Sequence, residues 1–355
     1  MKDKFAKRLN FSDLTEAQKI QGLIAEIERY RGMWTAGVKL SPQILNVLKR
    51  STVISSTGSS TRIEGVVLTD EQIEQMFKGL KPKKFLTRDQ QEVAGYKELL
   101  ENVFEAFTTI PFSENTVKHF HLELMKYSEK DQGHKGKYKF GDNRVVATDD
   151  GGNVVGVIFE PTPPYLAQKE MTELVDWTTY ALKEKKIHPL LIIGNFVMEF
   201  LAIHPFQDGN GRTSRVLTNY LLLKEGYDFV PYVSHEKYIE DNKDLYYLAL
   251  NRSQKTLKTD TPNISPWLIF FFDIILRQVK YAIDIADKVS IEPLLSRKQL
   301  DVWQFIQEHK EVTPKEIRES LEMPTATVLQ VLNKLVDLKK IERLGAGRST
   351  RYKII

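Results

Sequence analysis

Two charge-free apolar segments set the strongest limit on how this chain folds. They are Pro189–Met198 and Thr261–Phe272. Each is well short of the roughly 20 residues that a helix needs to cross a bilayer. A segment that is apolar on every side has to be surrounded by protein. The sequence therefore predicts two buried helices with other helices packed around them, and no membrane span.

Most of the remaining chain carries the period of amphipathic helices. Thr87 precedes one such run, and Gln90 three residues later completes the pattern of a capping box. Ser113 is the predicted cap of the following helix. Further helices are predicted over residues 165–185, 188–203, 211–224 and 266–288.

One region departs from the helical period. Residues 145–159 contain short Val/Ile runs on either side of DDGG at 149–152, which is turn chemistry typical of a β-hairpin. Because an isolated hairpin is rarely stable, we expect it to lie on the helical body as a flap. The predicted fold class is mainly α, a helical core with a β-hairpin flap.

The character of the chain changes near Leu295. A short amphipathic helix is followed by a second that Thr313 caps with Pro314 and Glu316, and by a third over 325–339. Two short strands around a Gly345/Gly347 turn end the chain. Three helices and a basic hairpin predict a winged helix-turn-helix in residues 295–355.

This C-terminal segment holds 12 Lys/Arg and 8 Asp/Glu, so its net charge of +4 equals that of the whole chain. Its third helix offers side chains that reach phosphates or base edges in DNA complexes: Thr325, Thr327, Gln330, Asn333 and Lys334. Its hairpin offers cations suited to the DNA backbone: Arg343, Arg348, Arg351 and Lys353. A packing or dimerisation module would carry a charge this modest as well, so both interpretations stay open.

The chain has no cysteine, which excludes disulfides, thiolate zinc sites and a cysteine nucleophile. The N-terminal residues MKDKFAKRLNFSDL lack the apolar core of a signal peptide. These features predict a cytoplasmic location, although a cysteine-free secreted protein would have the same composition.

Residues 202–216, AIHPFQDGNGRTSRV, combine several groups that suit a nucleoside triphosphate. Gly209 and Gly211 leave the backbone bare at the start of a helix, where N–H groups and the helix dipole favour an anion. Arg212 and Arg215 lie three positions apart on the first turn and can grip a polyphosphate.

The same stretch supplies an acid and a base. Asp208 can hold a Mg²⁺ that bridges two phosphates, because magnesium takes one or two carboxylates plus substrate oxygens. His204 titrates near neutral pH and is the natural general base for an incoming hydroxyl. Phe206 is expected to anchor the loop in the core.

The string HPFQDGNGRTSR resembles the Fic family signature H-P-F-x-D-G-N-G-R-x-x-R at every specified position, and the likeness extends over about residues 85–255. It implies transfer of AMP from ATP to a Ser, Thr or Tyr hydroxyl of a target protein, or of the enzyme itself, with release of pyrophosphate. It implies His204 as the catalytic base and Asp208 as the Mg²⁺ residue. The ATP-binding residues that it implies are Phe206, Asp208, Gly209, Asn210, Gly211, Arg212 and Arg215. It also implies that the flap, residues 145–159, docks the target by β-strand addition.

Details of the sequence refine this resemblance. Family members that transfer phosphate carry lysine at the position of Gly211, so the glycine favours AMP transfer. Tyr246 and Tyr247 are candidates for the adenine pocket by their position after the motif, although adjacent tyrosines on a helix are more often packing residues. Lys139 stands where arginine is expected in many relatives, which leaves the hairpin details open.

Residues 55–69, SSTGSSTRIEGVVLT, contain a second motif. Ser60 and Glu64 are four apart and therefore neighbours on a helix face, and Gly65 follows as a stop. By spacing alone this could be a small capped helix with an exposed glutamate. It also matches the Fic inhibitory motif S/T-x-x-x-E-G/N, which implies that Glu64 inserts beside Arg215 and repels the triphosphate.

The predicted organisation is an N-terminal helical segment over 1–84, a Fic core over 85–290 and a winged helix over 291–355. The predicted function is an autoinhibited protein adenylyltransferase, and the resemblance suggests a homodimer. Two alternatives stay open. One is a DNA-binding regulator that uses the core as a nucleotide sensor, and the other is an enzyme that uses Glu64 to remove AMP.

Overall fold

A computed structural model describes residues 3–37, 40, 42–77, 85, 87–129, 132–143, 145–148, 154–288, 295–338, 340–345, 347 and 350–355. The chain divides into two compact units. The first comprises Met1–Val38 with Pro42–Asp284, and the second comprises Lys39–Ser41 with Ile285–Ile355. Apart from Lys39–Ser41, residues 1–84, which the sequence assigns to a segment of their own, fall within the first unit.

The first unit is mainly helical, as predicted. Its N-terminal helices are α1 (Asp3–Lys7), α2 (Leu14–Gly37), α3 (Pro42–Ile63) and α4 (Asp70–Phe77). The central ones are α5 (Arg88–Ala106), α6 (Glu114–Leu124), α7 (Pro164–Glu184), α8 (Pro189–Ile203) and α9 (Asn210–Lys224). Then follow α10 (His235–Asp241), α11 (Lys243–Gln254) and α12 (Ser265–Lys288).

Helix α8 forms the centre of this unit. Every residue from Ile192 to Ile203 in it is buried, as its apolar sequence predicts. It packs against α7 and α9. Gly194 faces α12 so closely that a side chain there would meet Leu268, and the Trp267 indole N–H donates to the Gly194 carbonyl at 2.8 Å. The two charge-free segments therefore pack against each other.

Local sequence signals set the ends of several helices where predicted. Thr87 accepts from the backbone N–H of Gln90 at the start of α5, with the reciprocal bond of a capping box. Ser113 caps α6 by accepting from Thr116. In the described residues, no helix has the length and apolar run needed to cross a membrane.

The flap consists of β1 (Val145–Thr148) and β2 (Val154–Phe159), which pair antiparallel. The register shifts between Val145 and Val146 and again between Ala147 and Thr148. The predicted DDGG turn at 149–152 lies outside the described residues.

The second unit has its own apolar core, to which Trp303, Leu332 and Tyr352 belong. Its elements are α13 (Arg297–His309), β3 (Glu311–Val312), α14 (Pro314–Ser320), α15 (Thr325–Asp337), β4 (Ile341–Leu344) and β5 (Arg351–Ile354). Thr313 and Glu316 form the predicted capping box. The sheet order is β3-β5-β4, so a short strand that the sequence did not indicate joins the predicted hairpin. Arg348 lies outside the described residues.

Candidate active site

The site is built on the loop that joins α8 to α9. His204 ends α8 in a left-handed conformation, with φ 50° and ψ 60°. Gly209, with φ 75°, precedes α9 and turns its first N–H groups toward the loop. Asn210 fixes the loop, since its side-chain oxygen accepts from the Phe206 N–H and its amide donates to the Phe206 carbonyl, both at 2.8 Å.

Phe206 is fully buried and serves as the anchor of this loop. Its ring stacks on His121 with centroids 3.8 Å apart. His121 Nδ1 accepts from the Gly136 N–H at 3.0 Å, so its proton lies on Nε2, which donates to the Asp208 carbonyl at 3.0 Å. No local pattern indicates this use of His121, because the contact joins residues far apart in the chain.

His204 is poised to accept a proton. Burial and, to a smaller extent, the positive charge of Lys139 lower the pKa of its imidazole to about 4, so the ring is neutral at physiological pH. Its Nδ1 lies 3.4 Å from the Leu201 carbonyl oxygen. That acceptor favours the tautomer with the proton on Nδ1, which leaves the Nε2 lone pair available.

Asp208 lies in a closed ring of alternating charges that the sequence analysis did not anticipate. Arg212 Nη2 lies 3.2 Å from Asp208 Oδ1, and Arg212 Nη1 lies 2.6 Å from Glu92 Oε2. Arg88 closes the ring through Glu92 Oε1 at 2.7 Å and Asp208 Oδ2 at 3.0 Å. Burial raises the pKa of Asp208, but Arg212, the Gly209 N–H and Arg88 outweigh it and lower the pKa below its usual value.

Arg212 is 2% exposed, and its guanidinium is occupied by these two carboxylates. In this state it orients Asp208. Arg88 and Glu92 stand four apart on α5, which is the one sequence signal that could have indicated their pairing.

Arg215 contacts two residues of the second predicted motif, Ser60 and Glu64. It is 2% exposed, and its Nε donates to Ser60 Oγ at 2.7 Å. Its Nη2 donates to the Ser60 carbonyl at 2.9 Å and to Glu64 Oε1 at 2.7 Å. Helix α3 ends at Ile63, and Gly65 has φ 102°, so Glu64 projects from the end of the helix.

The electrostatics of this contact favour an ionised carboxylate. Burial raises the pKa of Glu64, but the charges of Arg215 and Arg212 outweigh it and lower the pKa below its usual value. Glu64 Oε1 lies directly over Gly211, where an added Cβ would overlap it. The bare Gly211 therefore makes room for an anionic oxygen at the start of α9.

A buried carboxylate on α10 ties α3 to the helices around it. Glu236 is fully buried and accepts from Ser56 on α3 at 2.7 Å. It also accepts from Asn219 on α9 at 2.7 Å and from Tyr96 on α5 at 2.9 Å. The helix that carries Glu64 is thus fixed to the helix that carries Arg215.

Tyr246 and Tyr247 lie on α11, with ring centroids 5.2 Å apart. Tyr246 is 3% exposed and also packs edge-on against Trp267, whereas Tyr247 is 39% exposed. Burial raises the pKa of both hydroxyls, that of Tyr247 to about 12, and the charge of Arg215 acts on both in the opposite direction. Both tyrosines therefore stand near Arg215.

A magnesium ion at this site would rely on few protein ligands. The described part of the chain has no cluster of three or more His, Cys, Asp or Glu residues that could hold a metal. The Asp208 side chain is partly exposed, and among the ring residues its Oδ2 is bound only by the exposed Arg88. One carboxylate completed by phosphate oxygens and water fits the usual coordination of Mg²⁺.

Comparison with known sequences places the site in a family. The pattern of the Fic/DOC family matches residues 111–222. A Fido domain-containing protein of Dictyostelium discoideum is 30% identical over 116 residues, which cover 28% of this chain and 81% of that protein. The protein adenylyltransferase Fic of Nematostella vectensis is 33% identical over 93 residues, or 26% of this chain and 20% of that protein.

The match to other relatives also covers only a part of their length. A protein of Aquifex aeolicus is 37% identical over 86 residues, and the match spans 26% of its length. Among solved structures, a Fic family protein from Desulfovibrio desulfuricans aligns with a TM-score of 0.62 at 24% identity. That alignment covers 95% of this chain and 96% of that one, so the two share a fold.

Proposed function

Because this chain belongs to the Fic/DOC family, we propose that it is a protein adenylyltransferase that moves AMP from ATP to a Ser, Thr or Tyr hydroxyl of a target protein. One observation carries the proposal. The neutral imidazole of His204 lies at the end of α8 with its Nε2 free. The start of α9, which Gly209 precedes, follows directly. Arg215 on α9 is paired with a single carboxylate, that of Glu64.

The chemistry uses few groups. The target hydroxyl oxygen bonds to the α-phosphorus while its proton passes to Nε2 of His204. The bond from the α-phosphorus to the oxygen that bridges to the β-phosphorus breaks, and its electron pair leaves on pyrophosphate. A bound Mg²⁺ would offset the phosphate charge, with Asp208 as its protein ligand.

The remaining groups would hold the triphosphate. The N–H groups of Gly209, Asn210 and Gly211 at the start of α9 favour its anionic oxygens through the helix dipole. Arg215 would bind the outer phosphates once Glu64 leaves it. Arg212 would contribute through Asp208, which it orients. The adenine pocket beside Tyr246 and Tyr247 belongs to the same proposal.

We further propose that Glu64 inhibits the enzyme. Its carboxylate binds Arg215 at 2.7 Å and lies over Gly211, where a phosphate oxygen of ATP would otherwise be placed. A carboxylate there neutralises the guanidinium and repels the triphosphate. Removal of AMP from a modified target, with Glu64 activating a water, is the alternative role proposed for the same carboxylate.

Target docking is assigned to the flap. β2 of the flap pairs with β1, and a peptide added to the free edge of such a hairpin is held mainly through backbone bonds. Such docking imposes little sequence selectivity. Formation of a homodimer and a cytoplasmic location remain predictions of the sequence.

The decisive experiment compares three proteins incubated with α-labelled ATP and Mg²⁺: the unchanged chain, Glu64→Gly and Glu64→Gly with His204→Ala. We expect covalent label on Glu64→Gly or on a lysate protein, weaker label on the unchanged chain and none on the double variant. The proposal fails if Glu64→Gly transfers no label, or if label persists without His204.

DNA binding by the second unit is a second proposal. Thr325, Gln330 and Asn333 are exposed along α15, as a helix that reads a groove requires. Against it, Lys334 binds Gln299 at 2.8 Å and Arg351 pairs with Glu311 at 3.0 Å, so part of the predicted basic set is engaged. Tight, salt-sensitive binding to a defined duplex without label transfer would favour the regulator over the enzyme.

A further inference from the structure

The segment that leads into the flap grips the loop that carries His204. Lys139 Nζ donates to the Ile203 carbonyl at 3.1 Å, and the Lys139 N–H donates to the Pro205 carbonyl at 2.8 Å. Asn143 Nδ2 donates to the carbonyls of His204 at 3.1 Å and Phe206 at 2.6 Å. Two residues therefore bind four consecutive carbonyl groups, and Lys139 Nζ also binds Asn143 Oδ1 at 2.7 Å.

These bonds act where the backbone needs them. The last carbonyls of a helix have no partner within the helix, and α8 ends immediately before His204. A left-handed conformation is uncommon for a residue other than glycine and persists only where its surroundings impose it. Lys139 and Asn143 supply that constraint on the residue whose side chain is the proposed base.

Lys139 also places a positive charge beside the base. It is 5% exposed, and its Nζ donates to two neutral oxygens. Burial lowers the pKa of Lys139 to about 8, while Asp142 and Glu170 act to raise it and Lys258 acts to lower it.

Two carboxylates also act on His204. Glu64 and Asp208 both raise the pKa of the imidazole, which opposes the effect of Lys139. Lys139 is thus the cation that offsets two carboxylates at the base and helps to keep the imidazole neutral.

We infer that Lys139 and Asn143 are positioning residues that hold His204 in its left-handed conformation with a neutral imidazole, facing a target docked on the flap. The inference rests on the proposed function for its kinetic consequence. Asn143 lies two residues before β1, so one short segment connects the flap to the base. The family resemblance leads one to expect arginine at position 139, whereas this chain uses lysine there.

The test is made in the Glu64→Gly background with Lys139→Met, Lys139→Arg and Asn143→Ala. Lys137→Met, at an exposed lysine two residues upstream, is the matched control. For Lys139→Met we expect kcat to fall by roughly 10- to 100-fold, as for loss of a hydrogen bond from a charged group, with KM for ATP nearly unchanged. Lys139→Arg should restore most of kcat, because it keeps the charge and the donors.

The pH profile separates positioning by charge from positioning by hydrogen bonds. Removing the cation favours the imidazolium, so Lys139→Met should move the acid limb of kcat to higher pH. Asn143→Ala should lower kcat without moving that limb. Equal losses of kcat and of ATP affinity, or an unshifted limb in Lys139→Met, would overturn the inference.

A second measurement needs no turnover. An NMR titration of ¹⁵N-labelled His204 in the unmodified background should show a raised pKa for the imidazole in Lys139→Met and no change in Lys137→Met. An unchanged titration in Lys139→Met overturns the inference. Absence of AMP transfer by Glu64→Gly itself would instead overturn the proposed function, so the two failures are distinguishable.

Discussion

The bond between Glu64 and Arg215 predicts how much the affinity for each nucleotide changes when Glu64 is removed. Arg215 is 3% exposed in its side chain, and Glu64 is 31% exposed, so the pair is mostly shielded from water. A hydrogen bond to a charged group contributes about 1.5–3 kcal/mol. If the outer phosphates must replace this bond, Glu64→Gly should tighten ATP binding between about 10-fold and about 150-fold.

Nucleotides without outer phosphates provide the contrast. AMP cannot reach the guanidinium that Glu64 occupies, so its affinity should change by less than about threefold, or under about 1 kcal/mol. Glu64→Gln keeps the shape and one acceptor but loses the charge. A neutral bond is worth roughly half as much as a charged one, so we expect an intermediate gain of about fivefold for ATP.

Calorimetric titration of ATP and AMP into His204→Ala versions of these proteins measures the affinities without turnover. Glu71→Gln, which removes a charge at an exposed position, controls for the change in net charge. Equal tightening of AMP and ATP would refute the reasoning, because it would mean that Glu64 does not compete with the outer phosphates. Unchanged affinity for both would refute it as well.

Four further predictions concern the site and its surroundings. Arg88→Met removes the ion pair to Asp208 Oδ2. The Mg²⁺ concentration for half-maximal binding should therefore fall by about 1.5- to 5-fold, which corresponds to the contribution of an exposed ion pair. An unchanged magnesium titration would contradict this prediction. Glu236→Ala should lower the free energy of unfolding in urea by about 3 kcal/mol or more, because buried donors lose their acceptor; a loss below about 1 kcal/mol would contradict it. AMP transfer by Glu64→Gly should stay level from about pH 7 to about pH 5.5, because the pKa of His204 is about 4, and a half-loss near pH 6.5 would speak against this. Since the unfolded chain binds that proton more readily, the same shift makes stability fall as the pH drops from about 6.5 to about 4.

The parts of the fold that the sequence predicts are those set by near neighbours. The capping boxes at Thr87 and Thr313 involve residues three apart, and both form as predicted. The limits of α8 follow from its apolar run. The HPFQDGNGRTSR string identifies the loop between α8 and α9 correctly, because its functional residues lie between the end of one helix and the first turn of the next.

Contacts between distant segments could not be predicted from such local sequence patterns. Glu92 binds Arg212 and Arg88 binds Asp208, each across more than a hundred residues, and no local pattern indicates either pair. Asn143 was not singled out, because its role depends on two carbonyls of a loop about 60 residues later. Such partners are fixed by packing, and packing has no local signature.

Helix α3 shows a different reason for a missed prediction. The spacing of Ser60 and Glu64 indicates at most a small helix, whereas α3 runs over Pro42–Ile63. Its C-terminal half carries small polar residues that are almost fully buried: Ser56, Thr57, Ser59, Ser60 and Thr61. Buried on more than one side, this stretch has no polar and apolar faces, so the helical period that marks exposed helices is absent.

The same burial limits how the proposed inhibition can be relieved. Withdrawing α3 would break the bond of Ser56 to Glu236 and the ion pair of Arg62 with Glu240, and would leave the buried Glu236 carboxylate with one donor fewer. Each such loss costs about 1–3 kcal/mol, so the sum exceeds what one Glu64–Arg215 bond contributes. Glu64 follows the end of the helix and can leave Arg215 by rotating about its own side-chain bonds. Relief is therefore expected to occur by competition for one guanidinium, with α3 remaining in place.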